Sequence, residues 1–263
     1  MIVQQIWTGN AYRNFNYLIA CPETGEALAI DPLEFRKCLA VARERGWHIT
    51  QVLNTHEHGD HTGGNKGIVK ATGAKVIAHE NAGKRIPGMD RGVGAGDIIK
   101  VGSSVELECL DTPGHTMSHI CLLSHTDTPA LFSGDTLFNA GAGNCHNGGH
   151  PEELFETFET QLAKLDDSTR VYPGHDYLLN NLGFTLDREP DNTAALQMME
   201  AFQDQDPADA KVTTIREERE INTFFRLDSP SVVQKLAQEF PEIGDKPDAK
   251  AVFLKLRELR NHW

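Results

Sequence analysis

Four potential metal ligands, His56, His58, Asp60 and His61, fall within six residues immediately after the apolar pair Val52-Leu53. A helix cannot gather the alternate ones, because residues two apart lie about 200° apart around a 3.6-residue turn. An extended segment can: positions 56, 58 and 60 then point one way and His61 another. One short loop leaving a strand can thus offer ligands to two neighbouring centres. Gly59, Gly63 and Gly64 supply the backbone freedom that so tight an arrangement needs. A chain with this segment must fold so that a strand ends beside others able to complete the ligand sets.

Three later segments repeat one device, an apolar run followed by glycine and a ligand-type side chain. They are Thr112-Pro113-Gly114-His115, Ser133-Gly134-Asp135 and Pro173-Gly174-His175. Strand ends of this kind form a cleft rim. Imidazoles and carboxylates without a thiolate suit zinc, iron or manganese.

Around these stations the sequence predicts short strands at 2–7, 17–20, 27–30, 51–54, 75–78, 105–110, 120–123, 130–133 and 170–172, with helices at 34–45 and 151–165. Past residue 176 strand signals largely vanish, and 192–203, 229–239 and 248–260 read as helices. The expectation is an α/β domain over 1–175 and a smaller helical domain over 176–263. The 263 residues carry 38 acidic and 25 basic side chains, a net charge of −13, which argues against a nucleic-acid partner. No apolar run reaches the roughly 20 residues of a membrane span. Residues 1–7 lack a basic-then-apolar leader. Five scattered cysteines without a C-x-x-C pair suit a reducing compartment, so a cytoplasmic location is expected.

The H-x-H-x-D-H segment with the later His, Asp and Gly-His stations resembles the metallo-β-lactamase superfamily. Within it, the chain is similar to the glyoxalase II (hydroxyacylglutathione hydrolase) group over nearly its whole length. The resemblance implies a four-layered αββα sandwich followed by a helical C-terminal domain. It also implies two divalent metal ions, zinc foremost: His56, His58 and His115 at one, Asp60, His61 and His175 at the other, and Asp135 bridging. Two such cations can activate a shared water for attack on a carbonyl, and Asp60 and Asp135 thereby count as catalytic. An Asp at the bridging station disfavours a β-lactamase. The implied reaction is hydrolysis of a glutathione thioester such as S-lactoylglutathione.

Gly174-His175-Asp176-Tyr177 looks like the group's G-H-E-Y, and the stretch from Glu217 to Arg226 resembles E-E-x-x-x-N-P-F-x-R with Thr223 in place of Pro. The resemblance makes Tyr177, Asn222 and Arg226 candidate contacts to glutathione. The loop from Gly141 to Gly149 departs from the group's G-C-G-[KR]-x-[YF]-E-G, placing Asn144 and His146 where a basic residue and an aromatic are usual. That departure supports, as an alternative, a different thioester, ester or lactone. A second alternative is a persulfide dioxygenase with one Fe(II) on His56, His115 and Asp135; the long helical C-terminal region and the N-x-F-x-R segment disfavour it. His119 is expected to pack or support the following strand, and Cys145 lacks a base that would make it a nucleophile.

Overall fold

A computed structural model describes residues 1–126 and 128–263. Two six-stranded sheets face each other. The first runs β1 (Ile2–Trp7), β2 (Phe15–Ala20), β3 (Glu26–Ile30), β4 (His48–Leu53), β5 (Lys75–His79), β6 (Arg91–Val93), antiparallel up to β3 and parallel beyond it. The second is built from β7 (Ile98–Val101), β8 (Val105–Asp111), β9 (Ile120–Ser124), β10 (Ala130–Gly134), β13 (Arg170–Pro173) and β14 (Thr213–Thr214). Its one parallel pair is β10 with β13. A small hairpin, β11 (Leu137–Phe138) and β12 (Gly141–Ala142), leaves the end of β10.

Strand alternation sorts the side chains into layers. Tyr17 and Ile19 face the second sheet, meeting Phe132, Leu122 and Tyr172, while Leu18 and Ala20 face outward onto Cys38 and Ala42 of α1 (Phe35–Arg45) and Ile68. On the far side, Leu123, Leu131 and Val171 pack against Leu154 and Phe158 of α4 (Pro151–Thr160) and Phe253 of α9 (Ala249–Arg260). Burial on both faces explains why these strands read as continuous apolar runs. The layer order is αββα with helices after it, as the resemblance implied. No helix of the described residues is long and apolar enough to cross a membrane.

Several local expectations are corrected. Gly59–Thr62 forms a helical turn, α2, so Asp60 and His61 leave the extended path that His56 and His58 follow. The predicted 151–165 helix breaks at Gln161 (φ −121°, ψ −62°) and resumes as a 3₁₀ turn, Leu162–Lys164. The helices α3 (Asn65–Thr72) and α5 (Leu178–Arg188) stand where glycine and asparagine had hidden the helical pattern. Strand pairing persists past 176, since β14 returns to β13 through Val171↔Thr213. The remaining helices are α6 (Thr193–Phe202), α7 (Ile215–Ile221) and α8 (Pro230–Glu239).

Candidate metal centre and substrate cavity

All seven proposed ligands meet at one edge of the sandwich, beyond the ends of β4, β8, β10 and β13. His58 Nδ1 lies 3.0 Å from both His56 Nε2 and His115 Nε2. Beside this trio, His61 Nε2 and His175 Nε2 are 3.2 Å apart, with Asp60 Oδ2 at 3.6 and 3.5 Å from them. Asp135 lies between: Oδ1 is 3.4 Å from His61 Nε2, and Oδ2 is 3.5 Å from His115 Nε2 and 3.2 Å from His175 Nε2.

The outward nitrogens fix the tautomers. His115 Nδ1 donates to Asn144 O (2.5 Å), His58 Nε2 to Asn147 O (3.0 Å) and His175 Nδ1 to Tyr12 O (2.6 Å). His61 Nδ1 donates to Asp31 Oδ2 (2.9 Å). Thr55 Oγ1 donates to that same oxygen (2.7 Å) and accepts from His56 Nδ1 (3.0 Å). With each proton spent outward, five lone pairs point inward, the arrangement that acceptors behind the ligands impose in metal sites. Lone pairs 3.0–3.2 Å apart repel unless a positive charge sits among them. Asp135 Oδ1 is buried without a hydrogen-bond partner among the described residues, a costly condition for a carboxylate. The donor set therefore fits divalent cations.

Charge state follows burial. Burial holds His115 down to about 4 and His56 well below the usual imidazole range, so both are neutral donors. Burial also works to lower His61, but Asp135 and Asp31 together raise it well above the ordinary value; the two carboxylates favour positive charge at its Nε2, where a bound cation would take the place of a proton and leave the lone pair to the metal. Asp135 is held well below the carboxylate range against its own burial, by His175 and His61.

Three supports escaped the sequence reading. Asp31, just past the end of β3, has φ +47° and accepts from Thr55 N–H (2.9 Å), the Thr55 hydroxyl and His61. Asn14 Nδ2 donates to Asp60 Oδ2 (3.1 Å). Glu57 accepts from Thr116 Oγ1 (3.1 Å) and Ser118 Oγ (2.7 Å), tying the His56–His58 loop to that of His115. His119 does more than pack. Its Nε2 accepts from Asp135 N–H (3.1 Å), and its ring stacks 5.2 Å from His56. Close approach also demands glycine at 174, where a Cβ would stand 2.2 Å from Asp135 Oδ1.

A cavity of about 440 Å³ lies over the centre, and a second of about 310 Å³ adjoins it across Phe138, Asn144 and Tyr177. Asn144, His146 and Tyr177 line the second cavity, as does the basic pair Arg257 and Arg260 from α9, which the sequence reading passed over. Their signal was there: two arginines three apart on an otherwise apolar stripe share one helix face. Arg257 is 4% exposed; Nη1 donates to Ala142 O (2.6 Å) and Gly143 O (3.0 Å), while Nε has no partner among the described residues. Burial lowers its pKa to about 10, still cationic at neutral pH. Tyr177 stacks on His175 at 5.0 Å, and burial pushes its phenol up to about 12.

Two predicted contacts are not brought to the cavity. Asn222 is fully buried, its Nδ2 donating to Gly141 O (3.2 Å) and Glu218 Oε2 (2.8 Å). Arg226 makes a bidentate pair with Glu189 at 2.8 and 3.0 Å, so its fork is already filled. The cavity's positive charge comes from α9 instead. Cys145, pushed up to about 11 by burial, stays a thiol.

The chain is 69% identical to a hydroxyacylglutathione hydrolase of Polaromonas sp., with all of both chains covered. The "Metallo-beta-lactamase superfamily" model matches residues 21–175 and the "Hydroxyacylglutathione hydrolase C-terminus" model residues 176–263. The chain belongs to the hydroxyacylglutathione hydrolase family. A second family member, from Nitrosococcus oceani, is 62% identical, again over all of both chains. The crystal structure of ETHE1 from Myxococcus xanthus superposes on this family member with a TM-score of 0.67 and 27% identity, covering 99% of this chain and 98% of the other. In a metallo-β-lactamase fold, these His/Asp clusters are a divalent-metal site.

Proposed function

We propose that this protein hydrolyses an acyl-glutathione thioester, such as S-lactoylglutathione, to a 2-hydroxy acid and glutathione at a pair of divalent ions, zinc foremost, with iron or manganese as other cations for the same donors. The observation that carries this reading is the convergence of five imidazole lone pairs and the unpartnered Asp135 Oδ1 beside a cavity walled by arginine. His56, His58 and His115 would hold one ion, and Asp60, His61 and His175 the other, with Asp135 shared. Such ions supply a water that ionises near neutral pH and positive charge for the carbonyl oxygen.

The protein's own groups do the rest. Asp31, Tyr12 O, Asn144 O and Asn147 O keep each imidazole in the donor tautomer. Tyr177, a neutral phenol at the junction of the two cavities, can donate to the substrate. Arg257 and Arg260 offer charge-assisted hydrogen bonds to a glutathione carboxylate. Phe138 walls both cavities, separating the acyl end from the tripeptide end. A thiolate is a good leaving group and departs without a proton donor.

The same reading divides the chain into 1–175, holding all seven ligands, and 176–263, supplying Tyr177, Arg257 and Arg260; the two family models abut there. A cytoplasmic location is part of the proposal, supported by five free cysteines. The test is turnover of S-lactoylglutathione with metal quantified in the same preparation. Activity that rises with loading to about two ions per chain is expected. One iron per chain with oxygen consumption on glutathione persulfide would overturn the hydrolase reading.

A further inference from the structure

Glu218, on α7, is fully buried and takes no part in the chemistry above. Its Oε2 accepts from Ala140 N–H (2.9 Å) and Asn222 Nδ2 (2.8 Å), and its Oε1 from Thr213 Oγ1 (2.6 Å). Thr213 Oγ1 accepts in turn from Asn139 Nδ2 (2.6 Å), and Asn222 Nδ2 also reaches Gly141 O (3.2 Å). Three of these five bonds end on the turn joining β11 to β12, at Asn139, Ala140 and Gly141, and the other two tie Glu218 to the Thr213 and Asn222 side chains that reach it. Ala140 in that turn has φ +57°, a conformation that a residue with a Cβ rarely adopts and that surroundings must hold in place.

What the turn carries makes the clamp matter. The hairpin begins just after Asp135 and ends at Gly143 and Asn144, with Gly143 N–H closing on Thr136 O (3.3 Å). Phe138 packs edge-on against His175 (5.7 Å) and Tyr177 (5.2 Å). Asn144 O holds His115 Nδ1. Displacing the turn therefore disturbs the shared carboxylate, a histidine tautomer and the wall of the second cavity together.

We propose that Glu218 is a positioning residue for the hydrolysis, clamping the 139–141 turn so that Asp135 and the cavity wall from Phe138 to Asn144 hold their places. The carboxylate acts only as an acceptor here. An amide keeps the clamp with one bond reversed: its oxygen accepts from Ala140 N–H and Asn222 Nδ2, and its nitrogen donates to Thr213 Oγ1.

The experiment compares metal-loaded wild type, Glu218→Ala, Glu218→Gln and Glu218→Ala/Ala140→Gly. Glu218→Ala is expected to raise KM for the acyl-glutathione and lower kcat/KM about tenfold or more, since small misplacements of reacting groups cost that much. It should also speed metal release to a chelator and raise amide exchange within residues 137–144 only. Glu218→Gln should restore each value to within about threefold. Ala140→Gly should recover part of the loss, because glycine holds φ +57° without the clamp. If Glu218→Ala does not fold, Asn139→Ala, which cuts the turn from Thr213, carries the same expectations. A folded Glu218→Ala with unchanged KM and chelator resistance overturns the proposal. So does a loss accompanied by faster exchange across the whole chain and no rescue by Ala140→Gly. The kinetic arm rests on the thioesterase reading; the chelator and exchange arms do not, so a wrong substrate would silence the first alone.

Discussion

At the scale of single residues, the proposed function gives Asp135 to the metal and Arg257 to the substrate. Asp135 presents a buried oxygen without a hydrogen-bond partner among the described residues, and its carboxylate faces both histidine sets, so removing it takes away a group common to the two. Asp135→Ala is expected to cut turnover by more than about a hundredfold and to lower metal content in elemental analysis, a larger effect than losing an outer-shell partner. Full activity with full metal content would refute the shared site. Arg257→Met tests the other cavity. A charge-assisted contact is worth about 1.5–3 kcal/mol, so KM for the acyl-glutathione should rise about tenfold or more; because the same side chain holds Ala142 O and Gly143 O, kcat should fall as well, by less than KM rises. Arg226→Met is the contrast. It strands Glu189, which is 2% exposed, and should cost ~2 kcal/mol or more in denaturant unfolding while leaving KM unchanged. A raised KM for Arg226→Met with intact stability would return that residue to the cavity.

At the scale of elements, the loop after β12 is where this chain departs from its family's usual pattern. Its carbonyls at Asn144 and Asn147 orient two ligands, while its side chains at 144 and 146 face the second cavity. Restoring the usual types, Asn144→Lys with His146→Tyr, adds a cation and an aromatic face without touching those carbonyls. The double variant should lower KM for an acyl-glutathione severalfold and leave kcat within about threefold; no change in KM would take the loop out of the substrate site. The same loop shows what could be read from sequence. The structure brings all seven proposed ligands together, and their positions were legible because each follows an apolar run and a small turn, a local pattern. Most of their orienting partners were not, because the pairing is long-range: Tyr12 O to His175 spans 163 residues, and Asn147 O to His58 spans 89. A motif match located Asn222 and Arg226 in the chain but carried no information on which way they face, and Glu189 and Glu218 had already claimed them. The helical turn at Gly59–Thr62 was missed for a related reason. Alternation argues for an extended path, yet two glycines and a short return to α3 favour a turn that separates Asp60 from His58.

At the scale of the whole molecule, the net charge of −13 surrounds a site built for cations and an anionic substrate, so function depends on local rather than total charge. Stability is subject to the same local accounting, and Glu218 makes it measurable. Burial pushes its carboxyl up to about 7, and the groups its oxygens meet (Thr213, Asn222 and Ala140) are all neutral. A group whose folded pKa is raised contributes stability that is fully present below the unfolded value, near 4.5, and lost as pH rises through the folded value. Ionised Glu218 therefore weighs against the fold at pH 8 by about 3 kcal/mol relative to pH 4. Glu218→Gln keeps the clamp and removes the titration. Its unfolding free energy should exceed that of wild type increasingly from pH 5 to pH 8, the gap widening by about 2–3 kcal/mol over that range. Other titrating groups are common to both proteins and cancel in the difference. A gap that stays constant with pH would mean that the carboxyl ionises at its ordinary value, and a gap of opposite slope would mean that a cation reaches it in the folded protein.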